Sequence, residues 1–521
     1  MRIKRKNSLA KALTVGLSLL LSVGMLTSCS KDAPKAEDNK EPESAITLPI
    51  VSGEDIASNL EPFYKQKVIW EACEDFYCAT IKAPLSWDNP EQGEVNLAIK
   101  IRLADESAKG TILFNPGGPG ASGIEFMSYI PLIWGNALKK NFNVLAFDPR
   151  GVGQSDAVKC LSDEEQDVAN AKVYPTTDEG LAALEADAKH TAEQCQENTG
   201  ELLGFVDTQS AAKDMDLLRF LVGDEKLNYL GYSYGTQLGA TYAGLFPQKV
   251  GKLVLDGAVD ISLTEFEQSL GQAQGFEGAL RSYVTACLDT ETCPFSGTPD
   301  DALKTISDWF AGLVDNPLVT DDSDRPLTQT LAFYGVAQPL YSQLSWPQLT
   351  QAFKQALTEN NGQKMLDSAD SYFGRNSDGT FKDNSNAAFR SINCMDSRGE
   401  TDREVMDRQA AEIKKAAPTM GEFFGYGGLI CKHWPYEKVE QGFDITAAGA
   451  APIVVIGTTN DPATPFIWAQ GLASTLESGV LVTLEGEGHT AYGTSFNTCI
   501  SHAVEDYFVD GIVPEDGLVC D

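Results

Sequence analysis

Leu227-Asn228-Tyr229-Leu230-Gly231-Tyr232-Ser233-Tyr234-Gly235-Thr236-Gln237 contains a short apolar run, a Gly-x-Ser-x-Gly pentapeptide and the opening of a helix near Thr236. The run Leu227 to Leu230 reads as a buried strand. A serine on a sharp strand-to-helix turn holds its hydroxyl exposed above a sheet, close to a helix N-terminus, and the flanking glycines let neighbouring chain approach it. Alone the pentapeptide is a modest signal, because Gly and Ser are common in loops. Its position between a strand and a helix makes it a strong one, and Ser233 is the candidate nucleophile.

Outward from this turn the same rhythm repeats. Thr111 to Phe114, Val144 to Phe147 and Lys252 to Leu255 are short apolar runs that end at Asn or Asp, as buried parallel strands do when a loop or helix follows. From 261 to 440 the rhythm stops. Helical patterns replace it at Phe276 to Leu288, Ala302 to Leu313, Trp346 to Leu357 and Asp402 to Ala416, with polar loops such as Gly374 to Asn386. Strand patterns return at Pro452 to Gly457 and Val480 to Leu484, before a closing helix near Cys499 to Phe508. The expected architecture is α/β, with a mostly parallel central sheet flanked by helices and an inserted, mainly helical cap. Residues 61–260 form the first part of the core, 261–440 the cap and 441–521 the C-terminal part of the core.

A serine hydroxyl is a weak nucleophile at neutral pH. It needs a base to take its proton and a third group to orient that base. The chain has four histidines. His489, in Gly486-Glu487-Gly488-His489-Thr490, follows a predicted strand in a Gly-rich loop and is the candidate base. His190 in a polar helical stretch, His433 beside Cys431 and Trp434, and His502 on the closing helix read as structural. The orienting acid belongs between serine and histidine at a strand end, where Asp461 stands in Asn460-Asp461-Pro462-Ala463-Thr464-Pro465. Asp256, in Leu255-Asp256-Gly257, is its rival; its alternative reading is a helix or turn cap. Acyl transfer also needs donors for the oxyanion. Asn115-Pro116-Gly117-Gly118-Pro119-Gly120 follows a strand and carries no bulky side chain over its N–H groups, so the hole is assigned to the N–H groups of Gly118 and Tyr234. Asp148 to Ser155 reads as a supporting loop on the same side.

The N-terminus reads as an export signal over residues 1–28. Arg2, Lys4, Arg5, Lys6 and Lys11 precede the apolar run Ala12 to Leu26, which is too short to span a bilayer comfortably. Leu26-Thr27-Ser28-Cys29 resembles a lipobox, in which the cysteine becomes the lipid-modified first residue of the mature chain. Residues 29–60 then read as a polar, flexible tether. Loss of the signal removes five basic and no acidic residues from a chain whose formal charge is already −34. Such acidity disfavours nucleic acid and anionic headgroups as partners, so membrane attachment would rest on the lipid alone. Hydrophobic content of 42% and charged content of 22% are those of a soluble globular protein. The other ten cysteines pair most simply in chain order: Cys73 with Cys78, Cys160 with Cys195, Cys287 with Cys293, Cys394 with Cys431, and Cys499 with Cys520. No Cys-x-x-Cys or His-x-x-x-His pair suggests a metal site, and no metal or organic cofactor is expected.

Taken together, Gly117-Gly118-Pro119-Gly120, Asp148 to Ser155, Gly231-Tyr232-Ser233-Tyr234-Gly235, Asp461 to Pro465 and Gly488-His489 resemble the exported tripeptidyl aminopeptidases, relatives of the proline iminopeptidases within the α/β-hydrolase fold. The resemblance spans about residues 65 to 521. Asn115-Pro116 departs from the proline iminopeptidases, which have a histidine before Gly-Gly-Pro-Gly. The resemblance implies a serine exopeptidase for short peptides, whose free α-amine is held beneath the cap by carboxylates. Asp396, fixed beside Cys394, is the first candidate, followed by Glu265 and Glu267. The competing expectations are a surface carboxylesterase or lipase using the same residues and, in another class, a catalytically silent binding protein. Peptide length and oligomeric state are not set by these motifs.

Overall fold

The computed structural model describes residues 44–495 and 497–521. The export signal and Cys29 lie outside the described residues. Ten strands form one sheet: β1 Glu71–Cys73, β2 Phe76–Pro84, β3 Glu94–Arg102, β4 Thr111–Asn115, β5 Asn143–Phe147, β6 Leu227–Tyr232, β7 Val250–Asp256, β8 Ile453–Asn460, β9 Gly479–Glu487 and β10 Leu518–Cys520, in the spatial order β1-β2-β3-β5-β4-β6-β7-β8-β9-β10. From β5 to β10 all neighbours are parallel, and β1, β2 and β3 extend the sheet antiparallel at one side. Parallel neighbours require crossovers, and the helices that supply them cover both faces. Consequently every residue of β4 and β5 is buried. One face packs Leu113, Leu145, Tyr229, Leu253 and Val455 against Met215, Leu218, Leu238 and Tyr242; the other packs Phe114, Val144, Val254 and Val454 against Trp134, Val504 and Phe508. This is the α/β-hydrolase architecture expected from the motifs.

Between β7 and β8 the chain leaves the sheet for nearly two hundred residues and forms helices, as expected of an inserted cap. Its helices Glu265–Leu288, Pro299–Asp315, Gln329–Leu340, Trp346–Thr358 and Gln363–Phe373 share an apolar core of their own around Tyr283, Phe310, Val336 and Phe353. Not all of 261–440 belongs to that core. Helix Ser385–Asp396 places Ala388, Ile392 and Met395 in the core beneath the sheet, where Trp434 joins them. The insertion therefore contributes to two cores.

The tether expected over 29–60 needs correcting in its described part. Val51 is buried, and Ile46, Leu48, Ile56 and Leu60 pack on the main core. Glu54 accepts two hydrogen bonds of 3.0 Å from Arg219 Nη2 and is also paired with Lys249. The polar composition of 29–60 taken as a whole suggested solvation, but the apolar residues of 44–60 have a surface to cover.

All five cysteine pairs expected from chain order are disulfides. Cys394–Cys431 ties helix Ser385–Asp396 to the short helix Gly428–Cys431. Arg150, from the predicted supporting loop, is fully buried and grips Asp214 through Nε at 2.7 Å and Nη2 at 2.6 Å. Asp148 in the same loop accepts from Ser122 Oγ at 2.7 Å, fixing the start of the segment that follows Gly120.

Candidate active site

Ser233 sits between β6 and helix Tyr234–Leu245 with φ 56° and ψ −125°. This is a strained conformation for a residue with a side chain, held here by the strand before it and the helix after it. Its N–H donates to Asp256 O at 2.9 Å, anchoring the turn to the end of β7. Gly117 takes φ 107°, and a Cβ built on it would stand 2.8 Å from both Ser233 Cβ and Tyr232 O. Only glycine lets the loop come this close. Gly118 N–H has no backbone partner among the described residues, and Tyr234, as the first residue of its helix, has no intrahelical acceptor for its N–H.

His489 lies just past β9. Its Nδ1 is 2.9 Å from Asp461 Oδ1 and 2.8 Å from Oδ2, so Nδ1 carries the proton donated to the carboxylate and Nε2 is left as the acceptor. Asp461 is held in turn by Ala463 N and Thr464 N, each at 2.9 Å from Oδ1, and by Thr464 Oγ1 at 3.1 Å from Oδ2. Burial, the largest single effect, opposes a charged ring at His489. The charge of Asp461, its hydrogen bond and the more distant Asp256 together exceed that effect and raise the imidazole above its usual value.

Asp256, the rival acid, does not bond the imidazole. Its carboxylate accepts from Ala491 N at 2.9 and 3.0 Å and from Tyr492 N at 2.7 Å. It therefore pins the segment that carries His489, while its carbonyl pins Ser233. Burial pushes its carboxyl up to about 7. Serine and histidine both approach the end of β7: Ser233 N–H bonds Asp256 O at 2.9 Å, and a Cβ on Gly257 would lie 3.2 Å from His489 Cε1. No hydrogen bond joins Ser233 to His489 among the described residues. His190 and His502 are exposed, and His433 Nε2 is 2.7 Å from Glu185 Oε1, away from this edge.

The three candidate amine-binding carboxylates do not converge. Asp396 accepts from Thr208 N at 2.8 Å and from Thr208 Oγ1 at 2.5 Å, and Thr208 Oγ1 is 2.6 Å from Tyr234 Oη. Its oxygens are thus committed to bracing the residue after Ser233, and burial pushes its carboxyl up to about 7. Glu267 needs correcting: it closes a capping box with Thr264 at the start of helix Glu265–Leu288 and is exposed. A capping motif at a helix start accounts for that carboxylate completely. Glu265 is half-buried and faces Gly427 and Phe424 in a small pocket, with Ser269 Oγ at 3.4 Å as its hydrogen-bond partner. On the same helix Gly275 packs on the carbonyls of Asp461 and Pro462. Glu265 is therefore about 15 Å along the axis from the histidine's acid.

Two residues escaped the sequence reading. Tyr341, just past helix Gln329–Leu340, accepts His489 N–H on its carbonyl at 2.9 Å, and its ring meets the imidazole edge-on at 5.3 Å. Nothing in the local pattern marks it, because that helix is apolar nearly all round. Glu487 lies two residues before His489; Oε1 accepts from Asn460 Nδ2 at 3.0 Å, and Oε2 is buried without a partner among the described residues. A glutamate at a strand end beside the loop of the candidate base was the available signal.

Comparison with known proteins identifies the family. The family model for TAP-like proteins matches residues 417–520. Serine protease Hip1 of Mycobacterium tuberculosis is 34% identical over the whole of both chains. Carboxylesterase B of the same species is 34% identical over 87% of this chain and 89% of its own. The tripeptidyl aminopeptidase of Streptomyces lividans is 26% identical over 87% of this chain and 84% of its own. The chain belongs to the TAP-like family of α/β-hydrolases and is a serine hydrolase of the peptidase type.

Proposed function

We propose that the protein is an exopeptidase that cleaves short peptides near a free N-terminus, with Ser233 as nucleophile, His489 as base and Asp461 orienting the base. The observation that carries this reading is the doubly accepted Nδ1–H of His489, which leaves Nε2 to serve the hydroxyl of a serine on the same sheet edge. Ser233 Oγ attacks the scissile carbonyl as Nε2 takes its proton, and the oxyanion is received by the N–H groups of Gly118 and Tyr234. The proton passes to the leaving amine, and water then repeats the sequence on the acyl-enzyme. Glu487 and Glu265 are the carboxylates with capacity for an α-ammonium group, since Asp396 is engaged by Thr208.

The test is chromophore release from amides bearing one, two or three residues, with free or blocked amines, by wild type and Ser233→Ala. Cleavage of free-amine tripeptidyl amides, lost in the variant, is expected. Cleavage of acyl esters alone would move the protein to a second reading, a carboxylesterase, which is favoured by its equal identity to a relative of that name.

We also propose export and anchoring through a lipid on Cys29. Among the described residues no helix is long and apolar enough to cross a membrane. Cys29→Ser is expected to move the protein from the membrane to the soluble fraction, and an unchanged distribution would remove the proposal.

A further inference from the structure

Helix Ser385–Asp396 forms one wall beside the candidate site. A Cβ on Gly120, at the end of the loop that approaches Ser233, would lie 2.9 Å from Ala388 Cβ and 3.0 Å from Phe389 N. Asn386 Nδ2 donates to Phe373 O at 3.3 Å, so this helix also meets the end of helix Gln363–Phe373. Arg390 follows Asn386 by four residues and therefore lies on the same face, one turn on. There the rings form a chain back to the base. Tyr334 packs on Phe373 at 4.5 Å and on Tyr372 at 4.7 Å, Tyr372 on Tyr341 at 6.5 Å, and Tyr341 on His489 at 5.3 Å.

Arg390 is partly buried and has neither a carboxylate nor a carbonyl within bonding distance among the described residues, although the chain holds 74 acidic groups. The nearby acids are already paired: Asp370 with Arg325 at 2.8 Å, Asp167 with Arg375 at 2.8 Å, and Asp187 with Lys172 at 2.7 Å. Two phenols, Tyr174 and Tyr334, lie in the field of the Arg390 charge; Tyr174 Oη donates to Asp187 Oδ2 at 2.8 Å, whereas the Tyr334 hydroxyl has no hydrogen-bond partner among the described residues. Burial pulls the guanidinium pKa down, as expected for a cation left without a counter-charge. A fork of N–H donors beside a phenol hydroxyl matches the geometry of a carboxylate.

We propose that Arg390 and the Tyr334 hydroxyl form a carboxylate-binding subsite at the mouth of the site, selecting substrates that carry a carboxylate a few residues from the bond cleaved. This rests on the serine hydrolase reading of Ser233 and goes beyond it. In a strongly acidic protein such a subsite restores short-range attraction for anionic peptides that the surface repels. The carboxylate is either the C-terminus of a short peptide or an acidic side chain.

The experiment measures kcat/KM for alanine peptides ending in a carboxylate against the same peptides ending in a carboxamide. A second series of carboxamides has Glu in place of one Ala. Wild type is expected to prefer one of the two carboxylate-bearing sets, and which set it prefers identifies the source. Arg390→Gln is expected to lower that preference about 10- to 100-fold, and Arg390→Lys to keep part of it. Labelling of Ser233 by a fluorophosphonate reports that each variant is folded. A wild-type preference near one, or an equal loss on carboxylate and carboxamide in Arg390→Gln, would overturn the subsite; the first result needs no variant. If peptides are not cleaved at all, the same ratio is read from aryl monoesters of dicarboxylic acids against neutral acyl esters. The preference then stands or falls independently of the peptidase reading.

Discussion

At the scale of single residues, the two aspartates beside His489 have different tasks and should fail differently. Asp461→Asn removes the acceptor of Nδ1–H, and kcat is expected to fall by about 10⁴-fold with the melting temperature nearly unchanged. Asp256→Ala strands the N–H groups of Ala491 and Tyr492 in the interior, and should cost about 2–4 kcal/mol in urea unfolding besides reducing activity. If the melting temperature falls for Asp461→Asn and not for Asp256→Ala, the roles are reversed. The base must be neutral to accept a proton, and its pKa is raised in the folded protein. The rate should therefore fall as pH drops through a value above the usual 6.5. Residual activity of Asp461→Asn should show that limb at lower pH, because the charge that raised it is gone. A pH–rate profile of kcat/KM for both proteins checks this sign.

At the scale of elements, the glutamate at residue 54 turns a stretch of sequence into a strap. Arg219 is fully buried, and Glu54 supplies one of the two carboxylates that neutralise it, Asp216 being the other. Glu54→Gln should cost about 1–3 kcal/mol and raise amide exchange over residues 44–60; unchanged exchange would mean that the apolar contacts alone hold the segment. This strap was hidden in the sequence because the charged and proline-containing residues 31–43 dominate the composition of 29–60, although 44–60 itself carries only Glu54, Asp55 and Pro49 of those types. The strands that carry Ser233, Asp256, Asp461 and His489 were readable, since a strand buried on both faces must be a nearly continuous apolar run. Their loops were readable because the chemistry demands Gly beside Ser and His. Strands β1 to β3 were passed over: they lie at the sheet's antiparallel side and mix Lys and Glu with apolar residues, as in Glu94–Arg102. Helix Gln329–Leu340 has no polar face to reveal its period, so Tyr341 at its end went unseen. The placement of Glu267 failed for the opposite reason, because the Thr264 capping box that explains it is local and was available.

At the scale of the whole molecule, a formal charge of −34 stores repulsion in the compact state. The melting temperature should rise as ionic strength increases from about 10 to 200 mM, over which the Debye length shrinks from about 30 Å to below 10 Å. A flat response would mean that local ion pairs such as Arg325 with Asp370 already offset the excess. The sheet also gives the molecule a front and a back. The strap touches the chain where β6 begins: the Pro49 carbonyl would lie 2.4 Å from a Cβ on Gly223, and Glu54 grips Arg219. Ser233 stands where β6 ends, six residues on, or about 20 Å away. A load applied to the chain at residue 44 is therefore borne at the end of β6 opposite Ser233, leaving the turn that holds the serine out of the line of pull.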